Sequence, residues 1–172
     1  ATGLHVKNTC QLLVDGCTFN NCRQSNNGRQ CGGIDYECTT GVDSPNETIN
    51  IMNTELHYCT GSTCAINLRA KHALPTLDNV TIAHSRSFNY IVNLDVESDS
   101  QYYVPGEIVF DNMKFLNLTN IGGVNSILFT RVTPKDHTII VRNNVWRNIS
   151  TPSTANDNGF ILLTTTVVYK KW

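Results

Sequence analysis

The chain has 172 residues, a formal net charge of −1 at pH 7 and only 16% charged residues. This composition offers no basic surface for nucleic acid or an anionic membrane, and no run of about eighteen apolar residues predicts a membrane span. At this length we expect a single domain over residues 1–172 that buries about 70% of its extended-chain surface.

Five runs along the chain share one apolar pattern. In each run a large apolar residue is followed five or six residues later by a second, and three residues further on by a third. The runs cover residues 14–22, 51–59, 82–91, 110–118 and 141–149. Because their first members are about 28 to 37 residues apart, the sequence predicts one array of stacked repeats. The aromatic members are predicted to fill the core: Phe19, Phe88, Phe115 and Trp146.

The third position of each run is predicted to be a tight bend between two short strands. The residues there are Gly16, Asn53, His84, Asn112 and Asn143. Asparagine tolerates left-handed backbone geometry and can hydrogen-bond nearby backbone groups. If repeats stack at the strand spacing of about 4.8 Å, the amides of Asn53, Asn112 and Asn143 form a ladder along the stack.

A third apolar segment follows each bend and completes the repeat. These segments are residues 33–37, 65–69, 91–96, 126–130 and 159–163. Three short strands per turn, joined by one tight bend and by loops of varying length, predict an all-β fold: a right-handed parallel β-helix of about five coils. We divide it into cysteine-rich N-terminal coils (1–64), cysteine-free coils (65–160) and a C-terminal strand (160–172).

The residues around the second apolar position resemble those of a known superfamily. Phe19-Asn-Asn21, Phe115-Leu-Asn117 and Trp146-Arg-Asn148 are similar to the coils of the pectate-lyase-like right-handed β-helix superfamily, above all its repetitive non-catalytic surface and adhesin members. The resemblance covers residues 10–165 and implies the fold, not an activity, because the superfamily holds lyases, hydrolases, phage tail proteins and surface proteins. Leu56-His-Tyr58 departs from the pattern, and the third run has one extra residue, which predicts a bulge there.

Cysteine usage indicates an oxidising compartment. All seven cysteines lie in the first 64 residues without the paired spacing of a zinc site, so no metal ion is predicted. Cys22 aligns with Cys59 on the next coil, and Cys31 aligns more loosely with Cys64, so disulfides between coils are predicted. Buried free thiols that fill the core are the alternative. The odd count leaves a sulfur for a neighbouring molecule or for a free core thiol; the remaining candidates are Cys10, Cys17 and Cys38.

Four N-glycosylation sequons agree with this compartment: Asn46, Asn79, Asn117 and Asn148. Together with the cysteines they predict a secreted or extracellular-surface protein of a eukaryote or of a virus growing in one. Asn117 and Asn148 occupy the same place in consecutive coils. Either two glycans crowd one face there, or at least one asparagine is an unmodified member of an amide stack.

The third strands carry a group of charges that faces outward if Ile34, Leu68 and Leu94 are aligned. The resemblance implies a carbohydrate-active face in which acidic residues bind calcium while a basic residue takes a proton, or in which two carboxylates serve an inverting hydrolase. The alternative is a cross-strand charge ladder worth about 0.2–1 kcal/mol per pair. The longer motifs of pectin lyases and polygalacturonases are absent, so no catalytic residue and no cofactor is predicted. The charged residues are Asp35, Glu37, Arg69, Lys71, Asp95 and Glu97.

The ends of the array are predicted to determine function. Residues 4–6 and 161–169 are strand-like, and no amphipathic helix caps either end. Open strand edges pair with other chains. Either the chain is a slice of a longer solenoid, or copies join end to end or by strand exchange, with residues 164–168 as the likeliest donor.

We therefore expect a non-catalytic extracellular structural or adhesive solenoid whose partner is a second copy of itself in a surface filament. The loops 26–30 and 151–158 are predicted to be exposed for contact. A carbohydrate-active enzyme that uses the charged face is the rival hypothesis. A third hypothesis is a viral or surface module that binds cell-surface or environmental glycans on the same fold.

Overall fold

The structure of the chain, a computed structural model, describes residues 2–8, 11–24, 31–38, 47–70, 73–97, 106–121, 125–133, 138–150 and 158–165. Within these ranges the secondary structure is entirely β, with sixteen strands and no helix. The prediction of an all-β chain is confirmed for this part of the molecule.

The strands follow one another in groups of three. The first eight are β1 (Leu4–Lys7), β2 (Gln11–Asp15), β3 (Thr18–Asn20), β4 (Ile34–Glu37), β5 (Thr48–Met52), β6 (Glu55–His57), β7 (Thr60–Ala70) and β8 (Thr76–Asp78). The next eight are β9 (Thr81–Ala83), β10 (Arg86–Glu97), β11 (Glu107–Asp111), β12 (Lys114–Asn120), β13 (Asn125–Thr133), β14 (Thr138–Arg142), β15 (Val145–Ser150) and β16 (Asn158–Thr165). We call β2 to β4 the first repeat and β14 to β16 the fifth repeat.

Each strand up to β13 pairs in parallel with the strand three places further along the chain. The first column of paired strands is β2, β5, β8, β11 and β14. The second column is β3, β6, β9, β12 and β15, and the third is β1, β4, β7, β10, β13 and β16. The second and third columns join into one sheet where Arg86 of β10 pairs with Thr119 of β12. Parallel strands in a curled sheet of this kind are compatible with a β-helix.

The core lies between the columns and follows from alternation within each strand. In β2, Leu12 and Val14 are buried while Leu13 between them is 67% exposed. In the third column Ile34, Ile66 and Val92 lie side by side on neighbouring strands and are fully buried. Burying an aliphatic side chain of this size contributes about 1.5–3 kcal/mol. Such rows hold successive repeats against one another.

The third repeat differs from the sequence prediction. The predicted first strand of this repeat contained Ile82, but Ile82 lies in β9 of the second column, where it pairs with Leu56 and Phe115. Leu77 of β8 holds the predicted place in the first column. The prediction misaligned this repeat because Ser85, which is in line with Cys59 and Leu118, is polar where the other repeats have an apolar residue or cysteine. β10 also carries a register shift between Ser87 and Tyr90.

Phe88 lies within this shift and is 50% exposed, so its predicted place in the core was wrong.

Candidate functional site

The first bend of every repeat is a residue with left-handed backbone geometry. The five residues are Gly16, Asn53, Asn79, Asn112 and Asn143, with φ between 49° and 63°. The structure therefore places Asn53, Asn112 and Asn143 in one row, and the bend of the third repeat is Asn79 and not His84. Asparagine is suited to this geometry because its short side chain tolerates the left-handed region.

The side chains of this row hydrogen-bond from one repeat to the next. Asn79 Nδ2 donates to Asn53 Oδ1 at 2.8 Å, which is an amide-to-amide contact. The other three contacts end on a carboxylate: Asn53 to Asp15 (2.8 Å), Asn112 to Asp78 (3.0 Å) and Asn143 to Asp111 (2.9 Å). The ladder is thus built from asparagine and aspartate together.

Asp111 shows how the carboxylates fit into this ladder. Its Oδ2 accepts a hydrogen bond from Arg142 Nε at 2.7 Å, and its Oδ1 accepts the bond from Asn143. The hydrogen bond from Arg142, followed by that from Asn143, lowers the pKa of Asp111 below its ordinary value. The carboxylate therefore stays ionised and keeps accepting both bonds.

A second row of left-handed bends lies five residues after the first. The sequence placed Asn117 and Asn148 at the same coil position, with an amide stack as one alternative, but it did not predict a bend there. The members of this second row are Asn21, Tyr58, His84, Asn117 and Asn148. The rings of Tyr58 and His84 stack with centroids 5.1 Å apart, and Asn148 Nδ2 donates to Asn117 Oδ1 at 2.8 Å. The constant spacing of five residues from each first bend, together with three asparagines, is the sequence signal that could have revealed this row.

Three of the four glycosylation candidates fall on these rows. Asn79, Asn117 and Asn148 are exposed, and Asn46 lies outside the described residues. Asn79 and Asn148 each donate from Nδ2 to a neighbouring amide oxygen. A glycan is attached through this same nitrogen, which would leave it one hydrogen for the ladder. Glycosylation at all four positions stays a prediction.

A row of alternating charges runs along the third column. Glu37 Oε2 lies 3.0 Å from Arg69 Nη2 and 3.5 Å from Lys7 Nζ. On the next strand Asp95 is paired in register with Arg69. On the strand after that, Arg131 is paired in register with Asp95. The signs therefore alternate from strand to strand. Glu37 and Arg69 engage each other, as expected for a charge ladder.

Asp35 does not belong to that row. The predicted alignment was wrong by two residues in β4, because Ile34 pairs with Ile66 and not with Leu68. Asp35 is consequently paired with Asn67 and is fully buried, although it was predicted to face outward beside Arg69.

A second polar row surrounds Asp35. Its carboxylate accepts a hydrogen bond from Asn67 Nδ2 at 2.6 Å, and its Oδ2 lies 2.9 Å from His5 Nδ1. Asn93 Nδ2 donates to Asn67 Oδ1 at 2.7 Å. Two partners satisfy the carboxylate in a site that excludes water, so Asp35 holds three strands of the third column together.

The remaining charged candidates are not brought to Asp35. Glu97 is paired with Thr133 in register, and Lys71 lies outside the described residues. The six charged residues therefore do not converge on one place in the part of the chain that the structure describes.

The six described cysteines are free thiols, and Cys10 lies outside the described ranges. The predicted disulfides between Cys22 and Cys59 and between Cys31 and Cys64 are not present. Cys22 and Cys59 do lie on adjacent strands, since Thr60 N donates to Cys22 O at 2.9 Å. Cys31 is paired with Thr63, one residue away from Cys64. The two other described thiols are Cys17, which is partly exposed, and Cys38, which is buried.

Burial changes the chemistry of three of these thiols. It raises the pKa of Cys59 to about 12, and the neighbouring Cys22 adds to the shift. Burial also raises the pKa of Cys31 and of Cys64 well above the ordinary value. A thiolate is the reactive form of cysteine, so these three side chains are poor nucleophiles in the folded protein.

The two ends of the strand array carry half-buried apolar side chains. Among the residues whose burial the structure describes, ten apolar side chains pack against the core without being fully covered, and Leu74 is the one of these that belongs to neither end. The others lie in β1, in the first repeat or in the fifth repeat: Leu4, Val6, Cys17, Phe19, Cys22, Ile139, Val141, Trp146 and Ile149. Incomplete apolar layers at both ends are surfaces that another strand layer would cover.

Trp146 illustrates the fifth repeat. It is paired in register with Phe115, and the two rings stack with centroids 4.0 Å apart and an angle of 9° between their planes. No described strand lies on the other side of β15. One face of the indole is therefore covered by the core, and the opposite face points along the stack.

Two further observations concern the described residues alone. They include no helix with the length and apolar character that crossing a bilayer requires. They also include no group of three or more histidine, cysteine, aspartate or glutamate side chains placed to hold a metal ion.

No protein-family model matches the chain, and no curated protein or solved structure matches it either. The resemblance to the pectate-lyase-like superfamily therefore depends on the sequence pattern and on the parallel β architecture.

Proposed function

We propose that the chain is a right-handed parallel β-helix of about five coils, in the style of the non-catalytic surface members of the pectate-lyase-like superfamily. Its function is structural or adhesive, as a protomer that stacks end to end into an extracellular filament. The half-buried apolar layers at both ends of the strand array carry this proposal. The sequons and the cysteine-rich first coils support the extracellular assignment.

The pairing register indicates how two copies would meet. Following the first column from strand to strand places Val141 of the fifth repeat in line with Val14 of the first. In the second column Trp146 is in line with Phe19 in the same way. Stacking the fifth repeat of one copy on the first repeat of the next would therefore set apolar side chains against apolar side chains.

Charge supports the same joint. Arg142 is in line with Asp15 along the first column. Both side chains are exposed, and the side chain of Arg142 is 61% accessible even though it bonds to Asp111. A head-to-tail joint would bring Arg142 of one copy over Asp15 of another, so opposite charges would favour this orientation.

Two single charge reversals test the joint. Arg142→Asp changes one end of the protomer and Asp15→Arg changes the other. We expect each variant alone to need at least tenfold more protein to assemble than the wild type, because like charges then meet. An equimolar mixture of the two variants should assemble again, since every joint then pairs opposite charges. Sedimentation velocity over a concentration series measures all three samples.

Glu107→Lys is the matched control, because Glu107 is an exposed charge in β11, away from either end. This variant should assemble like the wild type. A wild-type chain that stays monomeric, or reversals that leave assembly unchanged, would contradict the proposal.

A further inference from the structure

We propose that β1 is an intramolecular cap, occupying the edge of β4 that β16 of a second copy would otherwise take. The inference rests on the proposed end-to-end stacking and adds a control to it. Its basis is that, among the described residues, the third column holds six strands while the other two columns hold five each.

The extra strand stands where a neighbouring molecule needs to bind. When the fifth repeat of one copy lies on the first repeat of the next, β14 meets β2 and β15 meets β3. By the same stacking, β16 of the incoming copy would arrive at the edge of β4 that does not pair with β7. That edge is already paired with β1 of the same chain, from Leu4 opposite Ile34 to Lys7 opposite Glu37. Two strands cannot use the same edge, so the joint is complete only when β1 leaves.

β16 has the right apolar pattern to replace β1. Following the third column in register, Ile161 stands in line with Leu4. Leu163 stands in line with Val6 in the same way. Both replacements put an aliphatic residue at least as large in a core-facing row, so exchange retains the hydrophobic contribution of those two positions.

The polar side chains of β1, in contrast, favour β1 over β16 at this edge. His5 Nδ1 lies 2.9 Å from the buried carboxylate of Asp35, and Lys7 Nζ lies 3.5 Å from Glu37. The corresponding residues of β16 are Leu162 and Thr164, which offer Asp35 no ring nitrogen and Glu37 no ammonium group. The His5 and Lys7 contacts thus form a polar latch that a second copy cannot reproduce.

Backbone hydrogen bonds and the covalent connection between β1 and β4 also hold β1 at this edge. Gly3 N donates to Gly32 O and Leu4 N donates to Gly33 O, both at 2.9 Å, and Asn8 N donates to Glu37 O at 2.9 Å. Since β1 belongs to the same chain as β4, its effective concentration at that edge is in the millimolar range for a short linker. The cap is therefore the resting state, and weakening the latch should open the edge to a second copy.

A labelled peptide of residues 158–165 tests the cap without requiring filaments. We would measure its binding by fluorescence anisotropy to the wild type, to the full-length double variant His5→Ala/Lys7→Ala, and to a variant lacking residues 1–8. We expect at least tenfold tighter binding to the deletion variant than to the wild type, with the double variant between them. The double variant keeps the full length of β1 and its apolar Leu4 and Val6, so it covers the case in which the deletion does not fold.

The control peptide carries Ile161→Pro. The counterpart of Ile161 in β1 is Leu4, whose backbone N–H donates to Gly33 O, just before β4. Proline has no N–H to donate. Equal binding to all three proteins, or no loss of binding with the proline peptide, would overturn the cap. Filaments combined with a peptide that does not discriminate would refute the cap alone. Monomers combined with a discriminating peptide would refute the proposed function and leave the edge exchange supported.

Discussion

At the scale of single residues, left-handed backbone geometry decides which amino acid each bend accepts. Among the described residues, ten other than glycine have positive φ, and all of these are asparagine except Tyr58 and His84. The left-handed region costs most other L-residues about 1–2 kcal/mol. Tyr58 and His84 are neighbours in one row and stack on each other, so a ring contact accompanies the two departures from asparagine.

Two substitutions at Asn112 separate the cost of the left-handed backbone from the loss of the side-chain hydrogen bond. Asn112→Gly and Asn112→Val both remove the contact with Asp78, but valine also has to adopt φ of 53°. We expect the valine variant to be less stable than the glycine variant by about 1–3 kcal/mol in urea unfolding. At Thr119, an exposed strand position, the order should reverse because valine favours strands. Equal stability of the two Asn112 variants would show that this bend is not strained.

The buried thiol of Cys59 predicts a change of stability with pH. Burial raises its pKa to about 12 in the folded chain, whereas an unfolded thiol titrates near 8.5. The neutral thiol therefore stabilises the fold fully below about pH 8.5, and this contribution is lost as pH rises through the folded pKa.

Between about pH 9 and pH 11, the unfolding free energy of the wild type should fall more steeply than that of Cys59→Ala, by up to about 1.4 kcal/mol per pH unit. Urea unfolding at several pH values measures both slopes. The slope is compared, not the stability at one pH, because removing the sulfur also leaves a cavity. Parallel slopes would mean that Cys59 ionises as easily in the folded chain as in the unfolded one.

At the scale of strands, the sequence predicts which segments become strands better than how they align. The five third-strand segments all lie in β4, β7, β10, β13 and β16. Their alignment failed in β4 because a slip of two residues keeps every side chain on the same face of the sheet. Ile34 beside Ile66 and Ile34 beside Leu68 satisfy the apolar pattern equally well. The side-chain contacts of Asp35 with Asn67 and His5, which the pattern does not contain, distinguish the two.

The positions of the bends were likewise predicted only in part. The asparagines of the second, fourth and fifth repeats are recognisable from their spacing, whereas the third repeat was misaligned because Ser85 is polar where the other repeats have an apolar residue or cysteine. Free thiols were the alternative to the predicted disulfides, and the sequence could not decide between the two. Spacing can place Cys22 beside Cys59, but it cannot say whether two adjacent sulfurs are joined.

The register of β4 can be tested through two acidic residues on the same strand. Asp35→Ala should lower the unfolding free energy by about 2–4 kcal/mol, because it leaves a buried amide of Asn67 without its acceptor and removes the partner of His5. Glu37→Ala should cost about 0.2–1 kcal/mol, since its partners Lys7 and Arg69 are partly exposed. Urea unfolding of both variants measures the difference. Similar losses would favour the alignment in which both acids form surface pairs.

At the scale of the whole molecule, the two ends of the strand array differ in the side chains and strand edges that they expose. The fifth repeat presents half-buried Val141 and Trp146 together with an exposed arginine. The first repeat offers matching positions in two columns, while β1 covers its edge in the third. A protomer with one open end and one latched end would join slowly at first and faster once β1 is displaced. The rate of assembly would then depend on the His5 and Lys7 contacts.

Electron microscopy of the purified chain, with and without reductant, tests the central claim most directly. End-to-end stacking predicts regular fibres with an axial repeat of about 24 Å, the height of five strand layers at about 4.8 Å each. Fibres that survive reductant would fit the free thiols of the described cysteines, and fibres lost in reductant would indicate disulfides between protomers. Discrete particles of single-chain size at every concentration would contradict the account.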